Sequence, residues 1–152
     1  MSNNHVNQKR IEFDQMCQRL GHLPKGRITL AGDVVSLADS GRPELTFLVS
    51  SPGTNRRGFR IDQESWQLDN YRKNPVVLWA HSRENPPIAI SQREYIKMSK
   101  PAGGKSLFSE ALFLNTDEDP TGFSMRIYNM YKKKKLNAVS AGFTIGRIEF
   151  EK

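Results

Sequence analysis
The sequence predicts a mostly β fold of the α+β class, a few helices around a small barrel or sandwich rather than a bundle. Three observations carry this. Short apolar runs recur between breaks rich in glycine, proline and asparagine. Two stretches, Ile11 to Leu20 and the one following Asp117, space their apolar residues as a helix face does. The chain has 152 residues, and chains of about 150 bury roughly 70% of the surface their unfolded form exposes, enough for one core without disulfide or metal. Residues 1–20 are expected to form a flexible start and a short helix, and 21–152 a single domain.

Taken in order, residues 1–10 are polar and rich in asparagine and glutamine. Ile11, Phe13, Met16, Cys17 and Leu20 then make a short helical face that Gly21 is placed to end. Leu23-Pro24-Lys25-Gly26 is a turn. Ile28 to Val35 and Leu45 to Ser50 suit strands on either side of a loop holding Gly41 and Pro43, and Ser51-Pro52-Gly53-Thr54-Asn55 breaks the chain before Arg56 and Arg57. Asn74-Pro75 should open a strand, because proline disfavours helix at the residue before it and fits a strand's first position. Val76-Val77-Leu78-Trp79-Ala80-His81 is the most apolar stretch, and its lack of alternation predicts a strand buried on both sides. Ile88 to Met98 and Ser106 to Leu114 are further strands, joined by Lys100-Pro101-Ala102-Gly103-Gly104. Asp117-Glu118-Asp119-Pro120 should open a helix, with acids at its positive end and proline early in the first turn. Met125, Ile127, Tyr128, Met130 and Tyr131 are its apolar side and the lysine run closes it. Ala138 to Phe150 returns to strand character.

Composition excludes several classes of function. No stretch approaches the about 20 apolar residues of a membrane helix, and the polar leader does not read as a secretory signal. A single cysteine, Cys17, cannot close an intramolecular disulfide and suits a reducing compartment. The formal charge is +7, and without Lys132, Lys133, Lys134 and Lys135 it falls to +3. That run reads either as the solvated end of a helix, where cations complement the carbonyl pole, or as a surface for nucleic acid or an acidic protein. No metal is expected, since there is no second cysteine and no closely spaced histidine pair. Asp117, Glu118 and Asp119 are explained by a helix start, and no cofactor motif is present. Gly103-Gly104-Lys105-Ser106 resembles the end of a phosphate-binding loop, but Ser99 stands where its first glycine belongs, so a hairpin turn is expected.

Three histidines are available for acid–base work. His5 lies in the leader and His22 follows the first helix, whereas His81 ends the apolar strand. At period two His81 should share a side with Val77 and Trp79, which makes it the better base. Ser140, in Leu136-Asn137-Ala138-Val139-Ser140-Ala141-Gly142-Phe143, stands among small residues that let a substrate backbone approach. Backbone N–H groups of Ala141 or Gly142 are candidate oxyanion donors. Ala138 occupies the position where a nucleophile elbow needs glycine, which disfavours an α/β-hydrolase. Cys17 with His22 reads better as a buried thiol than as a catalytic pair. From chemistry alone, a structural histidine and a strand-end serine remain the simpler readings of His81 and Ser140.

Two segments together carry a resemblance. Trp66-Gln67-Leu68-Asp69-Asn70-Tyr71-Arg72-Lys73-Asn74-Pro75-Val76-Val77-Leu78-Trp79-Ala80-His81 resembles the tyrosine, Asn-Pro-Val-Val-Leu and terminal histidine pattern of the prohead proteases of tailed bacteriophages. Leu136 to Phe143 is similar to that family's Ser-x-Gly-Phe signature. Pro87-Ile88 and Ser109-Glu110-Ala111-Leu112-Phe113 fit the interval, so the likeness spans roughly residues 45–148. It implies a small β-barrel of the herpesvirus assembly-protease type and a serine endopeptidase, with Ser140 as nucleophile and His81 as general base. Such an enzyme would cut scaffold or capsid precursors inside the immature capsid, in the host cytoplasm, with a homodimer compatible with the resemblance. In similar proteases the third catalytic member lies in a continuation that Leu-x-Glu-x-Ser-like and Pro-Ala-Asn-like segments mark. Glu149 and Glu151 are the carboxylates after Ser140, and neither is assigned by motif. The third place therefore stays open among a dyad served by another carboxylate such as Glu110, a truncated chain and an inactive relative. A non-catalytic scaffold- or nucleic-acid-binding module using Lys132 to Lys135 is the alternative function.

Overall fold
The structure is a computed structural model and describes residues 27–37, 41–54 and 60–144, the side chains of 27–33, 36 and 37 excepted. The helix expected over Ile11 to Leu20 lies outside these residues, as do His5, Cys17, His22, Glu149 and Glu151.

Among the described residues, six strands and two α-helices make up a mostly β, α+β fold. In chain order these are β1 (Arg27–Leu37), β2 (Glu44–Ser50), α1 (Asp69–Arg72), β3 (Val76–Val77), β4 (Ala89–Ser99), β5 (Gly104–Phe113), α2 (Phe123–Lys132) and β6 (Ala138–Thr144). Single 3-10 turns span Gln63–Ser65 and Trp79–His81. The strands form one sheet in the order β3-β4-β5-β2-β1-β6. β4 and β5 form the long hairpin, in antiparallel register from Ala89 opposite Phe113 to Ser99 opposite Gly104. Its turn is the expected Lys100-to-Gly104 segment, with Gly103 at φ 73, a conformation that costs glycine nothing and other residues about 1 kcal/mol or more. β5 pairs on its other edge with β2, Leu45 opposite Ala111.

Burial explains why the sheet and α2 fold together. Leu45, Phe47, Ala89, Ala111 and Phe113 make an apolar surface that receives Ile127 and Tyr128 of α2. Phe113 is only 1% exposed, and its ring lies 5.6 Å from Tyr128 and 6.3 Å from Tyr131. Burying an aromatic side chain of this size is worth roughly 1.5–3 kcal/mol, so this surface fixes where α2, and the chain leaving it, must run. Among the described residues no helix is long and apolar enough to cross a membrane.

Three expectations change. The run from Val76 to His81 is not a strand buried on both faces: β3 is two half-buried residues at one end of the strand order, and the chain then turns. Trp79 satisfies its apolar surface against α2 instead, edge-on to Phe123 at 5.9 Å. The acids do not open α2 in its first turn. The helix begins at Phe123 after Gly122, which adopts φ 66. Asp119 reaches in from the preceding loop to accept the backbone N–H of Ser124 at 2.8 Å. That bond, with the Thr121 hydroxyl, holds the Asp119 carboxyl below its ordinary range. Finally, residues 69–72 form a short helix where none was expected. Its Arg72 ties the segment before β3 to β4 by bonding the Glu94 carboxylate and the Glu94 carbonyl, both at 3.1 Å.

Candidate active site
Ser140 is positioned from the end of α2. The helix closes through backbone bonds from Lys133 N–H to the Asn129 carbonyl (2.9 Å), from Lys134 N–H to Tyr131 (2.9 Å) and from Lys135 N–H to Met130 (2.8 Å). Lys134 takes the left-handed conformation at φ 56 that such a closure requires. The next residues are pinned from both sides. Val34 N–H in β1 donates to the Asn137 carbonyl at 3.3 Å, and the Tyr131 hydroxyl donates to the Ala138 carbonyl at 2.8 Å. Burial pushes the Tyr131 phenol above its ordinary pKa, so it stays a protonated donor through the neutral range. Leu136 and Val139 pack against the core. The two-residue period of the strand then turns Ser140 to the exposed face.

His81 is positioned from the opposite end of the strand order. After β3 the chain makes a tight turn in which Ser82 N–H donates to the Trp79 carbonyl at 2.9 Å. Within it Ala80 (φ 50) and His81 (φ 55) both adopt the left-handed region, at a cost of about 1–2 kcal/mol for each residue carrying a Cβ. The period-two placement of His81 beside Val77 and Trp79 is therefore corrected: the turn, not the strand, aims the imidazole. Trp79 packs inward and His81 is exposed.

These two routes bring His81 Nε2 to 2.7 Å from Ser140 Oγ across 59 residues of sequence. β3 and β6 stand at opposite ends of the strand order, so the sheet must curl for the turn after one to reach the other. Both residues lie within the compact unit Leu30–Ala141. With the ring proton on Nδ1, the hydroxyl donates to Nε2, the direction in which a base accepts a nucleophile's proton. Both side chains are open to solvent. The pair therefore lies on an open surface and not within an enclosed pocket.

No third member joins them among the described residues. The His81 ring makes its hydrogen bond to Ser140, and Glu110, the carboxylate considered for the orienting role, is instead engaged by Arg93 at 2.6 Å. No three of His, Cys, Asp or Glu gather to hold a metal among the described residues. Two concavities of about 560 and 250 Å³ lie elsewhere, flanking Arg72 and Glu94 between α1 and β4. Neither is lined by His81 or Ser140. Sequence reasoning missed Tyr131 as the anchor of the Ser140 strand, because a tyrosine on an apolar helix face reads as core alone.

No protein-family model, curated protein or solved structure matches this chain.

Proposed function
We propose that the chain is a serine endopeptidase in which Ser140 attacks a peptide carbonyl and His81 accepts its proton. The single observation that supports this is the 2.7 Å contact between His81 Nε2 and Ser140 Oγ, within the about 2.6–3.2 Å reach a general base needs. Attack forms the bond from Oγ to the carbonyl carbon as the proton passes to Nε2. Collapse of the tetrahedral species then expels the amine, which takes that proton from His81, and water repeats the sequence to release the acid. The N–H of Ala141, next in the chain to the nucleophile, is the candidate donor to the oxyanion. The resemblance of the Trp66-to-His81 and Leu136-to-Phe143 segments to prohead proteases extends the proposal to a small barrel of the herpesvirus assembly-protease type. Scaffold and capsid precursors in the immature capsid are the corresponding substrates.

The test is cleavage of a phage scaffold or capsid precursor by the unaltered protein and by Ser140→Ala and His81→Ala. Each substitution should lower turnover by at least about 10³-fold, since members of such a unit fail together. Undiminished cleavage in either variant contradicts the proposal. The alternative, a non-catalytic binding module, is favoured by one observation: the four lysines after Tyr131 are exposed and make no ion pair with any described residue.

A further inference from the structure
We infer that the lysines closing α2, together with Arg83, form a docking surface for an acidic polypeptide segment that delivers its chain to the His81–Ser140 pair. What happens after docking rests on the endopeptidase reading of that site. The surface begins with charge that has no internal use. Some described cations elsewhere are matched, Arg72 with Glu94 (3.1 Å), Arg93 with Glu110 (2.6 Å) and Lys105 with Glu64 (2.6 Å), while Lys73, Lys97 and Lys100 are exposed singly without an ion pair among the described residues; the run differs in setting four such charges in succession. Lys132, Lys133, Lys134 and Lys135 are all exposed and face no described carboxylate in an ion pair, and the same holds for Arg83. The helix does not require them, because its last carbonyls are already closed by the N–H groups of Lys133, Lys134 and Lys135. Of the four, Lys132 alone lies in the helix's last turn, where the carbonyl pole attracts a cation, and Lys133, Lys134 and Lys135 follow it.

Placement then selects the partner. The run feeds directly into β6, and Lys135 stands five positions before Ser140, so their Cα atoms are at most about 17 Å apart even if the chain were straight. Arg83 stands two positions after His81, on the other arm of the site. Cations thus attend both halves of the pair, where they would raise the local concentration of an acidic chain about to cross it. A single-stranded nucleic acid would instead want exposed aromatic platforms beside the charge. The rings on α2 are committed inward: Tyr131 lies 5.4 Å from Phe47, Tyr128 lies 5.6 Å from Phe113, and Phe123 meets Trp79.

The experiment uses the full chain carrying Ser140→Ala and three fluorescent probes: a twelve-residue peptide with four glutamates, its glutamine counterpart, and a single-stranded oligonucleotide of equal charge. The glutamate peptide should bind about tenfold more tightly than the glutamine peptide, as expected for several exposed pairs acting together. That advantage should vanish in K132Q/K133Q/K134Q/K135Q, and on raising salt from about 50 to 500 mM, where screening shortens to a few ångströms. Equal binding of the two peptides overturns the inference, as does an oligonucleotide that outcompetes the glutamate peptide through the same lysines. The salt series on the protein with its lysines intact decides the question even if the quadruple variant folds poorly. Cleavage of both peptides by the unaltered protein is read separately. Lysine-dependent binding without Ser140-dependent cleavage leaves docking standing and removes the endopeptidase reading. Cleavage of both peptides with equal binding does the reverse.

Discussion
Ala80 and His81 show how much local strain the fold accepts to aim one imidazole. Two successive residues with side chains sit at positive φ, and nothing in the apolar run that precedes them anticipates this. Such strain persists only where surrounding contacts over-determine it, and here Trp79 against Phe123 on one side and the bond from Ser82 N–H to the Trp79 carbonyl on the other do so. A residue-scale prediction follows from the backbone alone. Ala80→Gly relieves the left-handed penalty while adding freedom to the unfolded chain by about 0.4–1 kcal/mol, so the melting temperature should hold or rise by up to about 3 °C. Ala80→Val places a branched Cβ in the same conformation and should lower it by several degrees. Thermal unfolding followed by circular dichroism separates the two, and a melting temperature that Val leaves unchanged would refute the strain.

Among the elements, α2 does the positioning. Its inner face completes the core through Ile127 and Tyr128, and its last inward residue, Tyr131, reaches past the core to the Ala138 carbonyl. Tyr131→Phe keeps the ring contacts with Phe47 and Phe113 and removes that one bond. It should cost about 1 kcal/mol of stability and lower kcat about tenfold with little change in KM, because Ser140 is then held less firmly against His81. An unchanged kcat would mean that the strand is placed without Tyr131. Much of this level was legible beforehand. The β4–β5 hairpin follows from two apolar runs flanking Gly103-Gly104, and the strand start after Asn74-Pro75 fell where proline put it. The sequence misled where one signal serves two purposes: Val76 and Val77 are apolar as edge-strand residues, and Trp79, two positions on, as the residue that packs against α2. Asp119 sits ahead of α2 because it caps the helix from a loop. A four-residue helix such as α1 is shorter than any periodicity can reveal.

At the scale of the whole molecule, tyrosines tie stability to alkaline pH. Burial first, and the Glu94 carboxylate second, push the Tyr71 phenol up to about 12, against a weaker opposing bond with Ser91. Tyr131 and Tyr95 are also raised, chiefly by burial. A folded-state value above the unfolded one means that the protonated phenol is favoured on folding. The contribution is complete below about pH 10, the ordinary phenol value, and is lost as pH climbs from there toward 12. Because 37% of Tyr71 stays exposed, its share of the loss is smaller than the shift alone implies. Urea midpoints should therefore be level from about pH 7 to 9.5 and decline beyond; a midpoint flat to pH 12 would contradict this. The site itself also belongs to this scale. Residues 59 positions apart leave no local pattern that announces their meeting, so only a resemblance spanning both segments pointed to the pair. The curl of the sheet, set by core packing, is what joins them. The most direct measurement of whether that joining activates the serine is labelling with a fluorophosphonate, followed by mass spectrometry of the modified peptide. Fluoride should be displaced and a phosphonyl adduct form on Ser140 of the folded protein, at least about 10²-fold more slowly in His81→Ala. Absence of the adduct, or labelling indifferent to His81, would contradict that activation.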